Sequence, residues 1–534
     1  MPLTRKLPQR TSYKEFSRSF SRGIHGFLLL SALSLGFSNL RATTVSTPFG
    51  KSYQVNVNAT GQNIGGDAAN EPSMCIDPTN PNRMAIGWRQ FDSTNSSFRQ
   101  SGVAYTTNGG LNWTFPGNVD PGTFRSDPVL ASDANGIFYY LGISNTTTFA
   151  CDLLRSTNGG VTWQSAGPAL GGDKEWMTID TTSGPGRGNI YQVWSPAFNI
   201  YTNNANFIFT RSSDSGASWM LAIGLPHFPY FGTMDVGPNG ELYIFGMSAD
   251  TPNFVVDRST NAQNDVVTPK VDLSTLVGLG GPQATGGINP EGLLGQAWIA
   301  VDRSTNSTRG NVYVLCSVTN DPGNYCNVMF SRSTDRGKTW SAPVRINDDS
   351  ATQHAYHWFG TLSVAPNGRV DVCWNDTRHS TNNSESELYY SWSNDGGNTW
   401  APNQPISPLF NHSLGYPMQE KIGDYIAMVS LAEGACIAYT ATFNGEEDIY
   451  FVRAELPIIA SVAIGSDATH ISWNSVPGIG YQVQAKDSLT IPWSSATNVT
   501  NIFASGNTVS VDVPLAGNGS PQFYRVVRPA EGNN

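Results

Sequence analysis

The sequence predicts an all-β fold from its composition, its alternating apolar segments and an internal repeat. Only 13% of the 534 residues are charged, whereas glycine occurs 54 times and tryptophan 14 times. Many turn-forming and aromatic residues with few charges are typical of short strands joined by tight turns. The chain is too long for one ordinary hydrophobic core, so two or more structural units are expected.

An eight-residue pattern, Ser/Thr-x-Asn/Asp-x-Gly-x-x-Trp, provides the first repeat. It occurs five times, at residues 106–113, 156–163, 212–219, 333–340 and 393–400. The Asn or Asp side chain is expected to accept hydrogen bonds from backbone N–H groups two residues on, which closes a turn. The glycine supplies a backbone conformation that other residues resist, and the tryptophan buries a large ring against a neighbouring strand.

A second repeat consists of an apolar strand, a polar turn and a further strand of aliphatic and aromatic residues. It occurs at residues 71–88, 127–140, 175–194, 231–245, 297–315, 359–374 and 424–439. Six of the seven units are followed by a box of the first type, although the box at Ser259 is degenerate, with Gln263 in place of glycine. The last unit lacks a fourth strand, and residues 52–57 resemble the missing strand. Closure by this segment predicts a ring, namely a seven-bladed β-propeller over residues 43–456, with a six-bladed ring as the alternative.

The eight-residue boxes resemble the Asp boxes, or BNR repeats, of the sialidase superfamily. In that family the boxes lie between the third and fourth strands of propeller blades, on the face away from the active site. The resemblance therefore implies that the boxes are structural. Catalytic sialidases of the superfamily have six blades, so a count of seven argues against a simple sialidase.

Both ends of the chain differ from the repeats. Residues 1–42 contain a basic region followed by the apolar segment 27–37, which predicts a cleaved signal peptide and a secreted or extracytoplasmic protein. Residues 457–534 contain short strands without boxes and resemble a fibronectin-type-III-like, β-sandwich-like module of bacterial secreted proteins. Of the six cysteines, Cys316 and Cys326 flank a turn-like stretch and are candidates for a disulfide, whereas the others lie in apolar strand patterns.

Candidate functional residues stand where the seven units open, because the first strands of propeller blades line a central channel. Acids open four of the units, and aromatic side chains open several others. The acids suit hydroxyl binding or proton transfer, while aromatic rings stack on the apolar faces of sugars. The candidate catalytic residues are Glu71, Asp127, Glu175, Asp424 and Tyr425. The candidate substrate-binding residues are Arg125, Trp176, Trp298, His357 and Trp358.

The sialidase resemblance extends only weakly to a catalytic set. The segment Phe124-Arg125-Ser126-Asp127-Pro128 is the nearest match to the family's Arg-Ile-Pro motif. Arg89 and Arg378 end second strands and are within reach of a pocket, or else form surface ion pairs. The resemblance also implies that Tyr425 could serve as the family's tyrosine nucleophile with Glu175 as its base.

Three functions remain open from the sequence. The first is a secreted glycan-active enzyme of the glycoside hydrolase type at the channel mouth, and the second is a non-catalytic propeller that binds glycans or proteins. The third is a polysaccharide lyase that uses His227, His357 or His412 as a base. No cofactor is expected, although the acids could instead hold Ca²⁺, and no cysteine pair has the spacing of a zinc site.

The charge balance limits the partners. The formal net charge of -10 gives no basic field for nucleic acid and little attraction to anionic membranes. We therefore expect a monomer that meets an extracellular glycan or polysaccharide and, after signal cleavage, has no membrane attachment.

Overall fold

The computed structural model describes residues 42–528 except 48–49, 202–205, 321–322, 324, 351, 457–459, 476–479, 489, 491, 497–501, 506–507 and 515–522. The predicted signal peptide lies outside the described residues, apart from its last position. Within the described part of the chain all regular elements are β-strands, and their pairings are antiparallel. The prediction of an all-β fold is confirmed.

The strands form small sheets that follow one another along the chain. Strands β1 (Thr44–Thr47) and β2 (Gly50–Gln54) form a hairpin at the N-terminal end. The first three sheets are β3 (Ala68–Ile76), β4 (Met84–Phe91) and β5 (Gln100–Thr106); β6 (Ser126–Ser132), β7 (Phe138–Ile143), β8 (Cys151–Ser156) and β9 (Gln164–Pro168); and β10 (Trp176–Ile179), β11 (Ile190–Val193) and β12 (Phe209–Ser212). Isolated bridges stand in place of a fourth strand in two sheets, at Gly102–Asn118 and Tyr105–Thr114 in the first sheet and at Phe209–Ile223 in the third.

The next sheets repeat this order. The fourth sheet is β13 (Tyr230–Val236), β14 (Leu242–Met247), β15 (Phe254–Ser259) and β16 (Leu273–Val277), and the fifth is β17 (Trp298–Val301), β18 (Val312–Thr319), β19 (Cys326–Ser333) and β20 (Val344–Arg345). The sixth is β21 (His357–Val364), β22 (Val370–Asp376), β23 (Glu387–Ser393) and β24 (Gln404–Pro405). The seventh combines β25 (Ala427–Leu431), β26 (Gly434–Ala441) and β27 (Asp448–Glu455) with the N-terminal hairpin.

The N-terminal strand completes the seventh sheet in the expected place. Ser52 lies opposite Val452 and Gln54 opposite Tyr450, and the Val55 amide donates to the Ile449 carbonyl at 2.8 Å. This confirms the predicted pairing of the two chain segments. The first strands also contact one another in cyclic order, from β3 to β6, β10, β13, β17, β21 and β25, and β25 contacts β3.

The core lies between neighbouring sheets. Strands such as β3, β4, β22 and β26 are buried along their whole length. Trp88, Trp194, Trp358 and Trp374 are among the largest side chains that are fully buried. Burial of each such ring removes apolar area from water, which contributes roughly 2–3 kcal/mol to folding.

The five boxes form one hydrogen-bonded turn each, between the third strand and the segment that follows it. In the box at Ser393, the Gly397 amide donates to Ser393 Oγ at 2.8 Å and the Thr399 amide donates to Asp395 Oδ1 at 2.9 Å. The backbone amides that donate to Asp395 are therefore three and four residues on, rather than two as expected, because the turn is wider than a simple Asx turn.

The box glycine and tryptophan both face the preceding sheet. Gly397 has a φ of +82°, and a Cβ there would lie 2.6 Å from the Phe330 ring of the fifth sheet. The ring of Trp400 packs edge-on against the same phenylalanine, with 5.0 Å between ring centroids. The boxes therefore join each sheet to the one before it.

The C-terminal region forms two further small sheets. One is β28 (Ala460–Ile464), β29 (Ala468–Asn474) and β33 (Thr508–Pro514). The other is β30 (Gly480–Lys486), β31 (Ser494–Ser495), β32 (Ile502–Phe503) and β34 (Phe523–Val527). Their buried side chains, which include Trp473 and Tyr481, form a cluster of their own.

The candidate disulfide is absent. Cys316 and Cys326 are buried free thiols in strands β18 and β19. The register places Cys316 opposite Met329 and Cys326 opposite Thr319, so the two cysteines are not directly opposed. The expectation failed because the hairpin strands continue to the edge of the turn and set a register that the turn residues do not reveal.

Candidate functional site

The inner strands share a backbone irregularity where they begin. In four sheets a register shift skips two residues, and the first of the two has a positive φ: +54° at Glu71, +51° at Asp127, +53° at Phe231 and +59° at Phe359. Lys174, at +55°, precedes β10 in the same way. A non-glycine residue with a positive φ is strained, and a β-bulge changes the direction in which its side chain points.

Three of these re-aimed side chains are charged, and they take part in a buried chain of ion pairs that we call the charge chain. Its members alternate in sign in the order Arg89, Glu71, Lys421, Asp424, Lys174 and Asp127. The charge chain joins the first, second and third sheets to the segment that precedes β25.

The contacts along the charge chain are short. Arg89 Nε lies 3.1 Å from Glu71 Oε2, and Lys421 Nζ lies 2.9 Å from Glu71 Oε1 and 2.5 Å from Asp424 Oδ2. The Lys174 ammonium pairs with Asp424 and lies 2.8 Å from Asp127 Oδ2. Every member exposes at most 10% of its side chain, so solvent screens these pairs little.

The carboxyl groups differ in their pKa values. Burial opposes ionisation of Asp127 and Asp424, but Lys174 and Lys421 outweigh it and hold both pKa values below the usual range. Burial raises the pKa of Glu71, and Arg89 and Lys421 offset this only in part. Lys174 and Lys421 therefore supply the positive charge that offsets these clustered acids, whereas Arg125 pairs with other acids.

Glu175 lies beside the charge chain but is not a member of it. Its side chain is buried, and no hydrogen bond reaches either carboxyl oxygen. Burial raises the pKa of Glu175 well above the usual range, and the negative charge of Asp127 adds to the shift. The pKa values of the neighbouring Glu175 and Asp127 are therefore shifted in opposite directions.

Tyr425 packs against Trp176, which in turn packs against Trp298. The Trp176 ring makes edge contacts with Trp298 and Tyr425, at centroid distances of 5.2 Å and 5.6 Å. The Tyr425 hydroxyl donates to the Pro128 carbonyl at 2.9 Å, and burial raises the pKa of Tyr425 well above its usual value. This hydroxyl is bonded and neutral, which does not suit a nucleophile.

The remaining predicted residues have partners elsewhere. Arg125 pairs with Asp152 at 2.7 Å and with Asp120 at 2.9 Å. His357 and Trp358 lie within the sixth sheet, where His357 Nδ1 is bonded to the Cys326 carbonyl and Trp358 Nε1 donates to Ser386 Oγ. They open β21, but their side chains turn into the sheet, because the strand continues through them before the bulge at Phe359.

A cavity of about 290 Å³ runs along the inner strands, beyond the charge chain that occupies their starts. Its wall includes Ser73, Leu130, Thr233 and Leu362, with Trp176 and Trp298. The cavity is lined by the middle and later parts of the inner strands, whereas the charge chain occupies their starts. Chemistry that uses the acids would therefore take place at the starts of the inner strands rather than inside this cavity.

Loops at the strand starts carry an aromatic rim, defined here as Phe98, Phe124, Phe149 and Phe198. The Phe98 and Phe124 rings are 6.2 Å apart, and those of Phe149 and Phe198 are 5.5 Å apart. Phe98 is 43% and Phe198 57% exposed. In an antiparallel sheet the loop from the second to the third strand is at the same end as the start of the first strand. The aromatic rim and the charge chain therefore share one face of the molecule.

Sequence reasoning missed both lysines of the charge chain. Lys174 occupies the position of Glu71 and Asp127 in its own unit, one residue before Glu175. The positive φ that marks this position is a property of the structure, so the sequence did not reveal that Lys174 is equivalent to the two acids. Lys421 stands three residues before Asp424 in an irregular segment that no repeat covers.

Among the described residues, no group of three or more His, Cys, Asp and Glu side chains is arranged to hold a metal ion. The charges that Ca²⁺ would offset at the strand starts are instead offset by Lys174, Lys421 and Arg89. Within the described parts of the chain, no helix has the length and apolarity needed to cross a membrane.

Comparisons with known proteins leave the function open. No family model and no curated protein matches the chain. Among solved structures, a protein of unknown function from Dyadobacter fermentans has 15% identity and a TM-score of 0.44, with 77% of this chain and 100% of that chain covered. A fungal alcohol oxidase in complex with copper has 11% identity and a TM-score of 0.47, with 90% and 92% covered. The Aleuria aurantia lectin, in complex with Fucα1-6GlcNAc, has 12% identity and a TM-score of 0.37, with 64% and 96% covered. At these TM-scores the similarities assign no function to this chain.

Proposed function

We propose that the protein is a secreted, seven-bladed Asp-box propeller that binds an extracellular glycan on the face where the inner strands begin. The cyclic contacts of the seven first strands and the pairing of β2 with β27 support the propeller. Residues 1–42 are the proposed signal peptide. Residues 457–534 are the proposed fibronectin-type-III-like module, which serves as a spacer or adhesion unit.

The aromatic rim is the observation that carries the binding function. Two pairs of aromatic rings, each with one well-exposed member, stand on loops around a buried charged centre. Aromatic faces stack on the apolar faces of sugar rings, while polar loop groups bond the hydroxyls. Exposed aromatic side chains grouped on one face mark an interaction site.

The charge chain acts as the support of this surface. The Arg125 amide donates to the Arg99 carbonyl at 2.9 Å, and the Asp173 amide donates to the Phe198 carbonyl at 2.6 Å, so the loops of the rim are bonded to residues next to the charge chain. Its acids are paired with cations inside the protein, and the Tyr425 hydroxyl is occupied. These features favour binding over catalysis.

Glycoside hydrolysis is the second candidate, and one observation favours it. Burial and the negative charge of Asp127 raise the pKa of Glu175 well above its usual range, whereas Lys174 and Lys421 hold the pKa of Asp127 below its usual range. Two neighbouring carboxyl groups whose pKa values are pushed apart are what a glycosidase needs for its acid and its partner. A lyase is not supported, because His227 is bonded to Asp250, His357 to Cys326 and His412 to Ser386, all away from the charge chain.

The purified full chain, applied to a panel of glycans with product analysis, tests both candidates. Binding without product, weakened about tenfold or more in a variant with Phe98→Ala and Phe198→Ala, is the expected result. Leu221→Ala is the matched control, because Leu221 is 87% exposed and follows a box on the opposite face. Failure to bind any glycan would refute the proposal, and product formation that Glu175→Gln abolishes would establish the hydrolase instead.

A further inference from the structure

The fourth sheet has an altered box with a valine in the place of its tryptophan. The Lys270 amide donates to Asn261 Oδ1 at 2.8 Å, just as the Thr339 amide donates to Asp335 Oδ1 at 2.9 Å in the next box. Trp340 follows Thr339, and Val271 follows Lys270. The hydrogen bonds therefore identify Val271 as the structural equivalent of the box tryptophan, although the loop from Asn261 to Lys270 is longer than the loop from Asp335 to Thr339.

A cavity lies where the missing indole ring would pack. In the sixth sheet, Trp400 packs on Phe330 of the preceding sheet, three residues before the box serine of that sheet. Phe209 holds the corresponding position in the third sheet, three residues before Ser212. A cavity of about 260 Å³ opens there between the third and fourth sheets. Its apolar lining is Phe209, Ile223, Leu225, Leu242, Ile244 and Val271.

Asp257 adds a carboxyl group to this cavity. In the third, fifth and sixth sheets the residue two before the box serine is a Thr or Ser whose hydroxyl donates to the carbonyl that follows the box tryptophan, as Ser331 does to Ser341 at 2.9 Å. The fourth sheet has Asp257 instead, and this carboxyl is fully buried. No hydrogen bond of ordinary geometry reaches either oxygen. Burial raises the pKa of Asp257 to about 7, opposed by the Ser274 hydroxyl on the next strand and by His227.

The cations near the cavity have other environments. The Arg258 guanidinium pairs with Asp272 and donates to the Arg336 carbonyl of the fifth sheet. Lys270 is exposed at the edge of this cavity. A buried carboxylate without a partner raises the free energy of the folded protein. A cationic ligand that pairs with this carboxylate removes the cost, and the pairing adds to the affinity of the ligand. Val271, which replaces the indole ring, and the additional acid Asp257 both belong to the fourth sheet. Both residues line the same cavity.

We propose that this cavity is a binding site for a small arylalkyl ammonium compound, whose ring occupies the place of the box indole and whose ammonium group pairs with Asp257. The site is separate from the aromatic rim, and it goes beyond the proposed glycan binding. Water is the competing occupant, since a polar group in a cavity of this size can be hydrated. If water is the only occupant, neither a cationic nor an anionic compound with an aromatic ring binds in the cavity.

Calorimetric titration of the purified full chain with tryptamine and with indole-3-propionate tests the proposal. Tryptamine is expected to bind with one-to-one stoichiometry, and indole-3-propionate at least about tenfold more weakly. Asp257→Asn should weaken tryptamine about tenfold or more, because the amide keeps the shape and removes the charge. Asp265→Asn, an exposed acid in the same loop, is the matched control.

A second variant tests the position of the ring. Val271→Trp restores the box tryptophan, so it should fill the cavity, abolish tryptamine binding and leave glycan binding on the aromatic rim unchanged. Leu221→Trp adds the same side chain at an exposed position and should leave tryptamine binding intact. The proposal is overturned if tryptamine does not bind, if indole-3-propionate binds equally well, or if binding survives in Asp257→Asn. If Val271→Trp does not fold, the two probes and Asp257→Asn still decide the question.

Discussion

The ammonium group of Lys174 lies between the carboxylates of Asp127 and Asp424, 2.8 Å from Asp127 Oδ2 and in direct contact with Asp424. The three residues come from the entrances to three different inner strands. One lysine therefore cross-links the starts of the second, third and seventh sheets. Because both acids are buried and ionised, the lysine is the main compensation for their charge.

Substitution of this lysine should be severely destabilising. Lys174→Met keeps much of the side-chain volume but leaves two buried carboxylates close together, and breaking a buried pair in this way costs about 3–5 kcal/mol. The free energy of unfolding from urea titration is the measurement. Asp127→Asn in the same chain should recover part of the loss, because it removes one of the repelling charges.

Lys338→Met is the control for Lys174, because Lys338 is an exposed lysine in a box turn. It should change the free energy of unfolding by less than about 0.5 kcal/mol. Equal effects of the two substitutions would mean that the charge chain contributes no specific stability.

Glu175 should make stability depend on pH in the direction opposite to an ion-paired acid. Its pKa is higher in the folded than in the unfolded chain, so its contribution is fully present below the unfolded value of about 4.3 and is lost as the pH rises toward the folded value. Glu175→Gln removes this dependence. The stability of Glu175→Gln relative to the parent should therefore increase from pH 4 to pH 8, as measured by urea unfolding at each pH. A constant difference would show that Glu175 is not buried as a neutral acid.

Much of the scaffold could be predicted because its causes are local and repeated. The box turns depend on residues within eight positions of one another, and the alternation of the strands is visible in each unit. Pairing of residues 52–57 with 448–453 could be predicted because one strand was missing at one end and one was left over at the other. Cys316 and Cys326 could not be paired correctly, because register depends on the whole length of β18 and β19.

The candidate site could be predicted only in part. Glu71, Asp127 and Asp424 do come together, joined through Lys174 and Lys421, because the first strands of the repeated units contact one another. Their neutralisation by Lys174 and Lys421 could not be foreseen from a search for acids. His357 and Trp358 were expected at the same level, but the equivalent of Glu71 and Asp127 in the sixth sheet is Phe359, and His357 and Trp358 stand two and one positions before it.

The box acids should contribute stability without affecting binding. Asp395 Oδ1 accepts hydrogen bonds from Ser393 Oγ and from the Asn398 and Thr399 amides, and Oδ2 accepts one from Thr399 Oγ1. By analogy with helix caps, Asp395→Ala should cost about 0.5–2 kcal/mol. Asp395→Asn should cost less, because Asn108 and Asn158 close the same turn elsewhere in this chain. Lower glycan affinity per folded molecule in either variant would contradict a purely structural role.

Acidification should weaken the same turn. Slight burial opposes the shift, but hydrogen bonds from Thr399 and Ser393 lower the pKa of Asp395 to about 2. Its contribution is therefore present above the unfolded pKa of about 3.9 and is lost as the pH falls toward 2. The stability difference between the parent and Asp395→Ala should shrink over that range, and a difference that persists at pH 2 would refute this.

Gly423 offers a test of how closely the inner strands approach one another at the site. Its φ is +105°, and a Cβ added there would lie 2.9 Å from both the backbone nitrogen and Cγ of Glu71. Gly117 has nearly the same backbone conformation, with a φ of +108°, and nothing lies within 4 Å of its added Cβ. The strain of a positive φ, about 1–2 kcal/mol, is therefore common to Gly423→Ala and Gly117→Ala. Gly423→Ala should destabilise the protein further, because the methyl group must displace the Glu71 backbone and with it the pairs from Glu71 to Arg89 and Lys421.

Urea unfolding of both variants, with glycan binding measured on the folded protein, gives the comparison. Equal losses of stability would mean that the strand starts have room to separate, and the charge chain would then not hold the face of the proposed glycan site in one fixed arrangement.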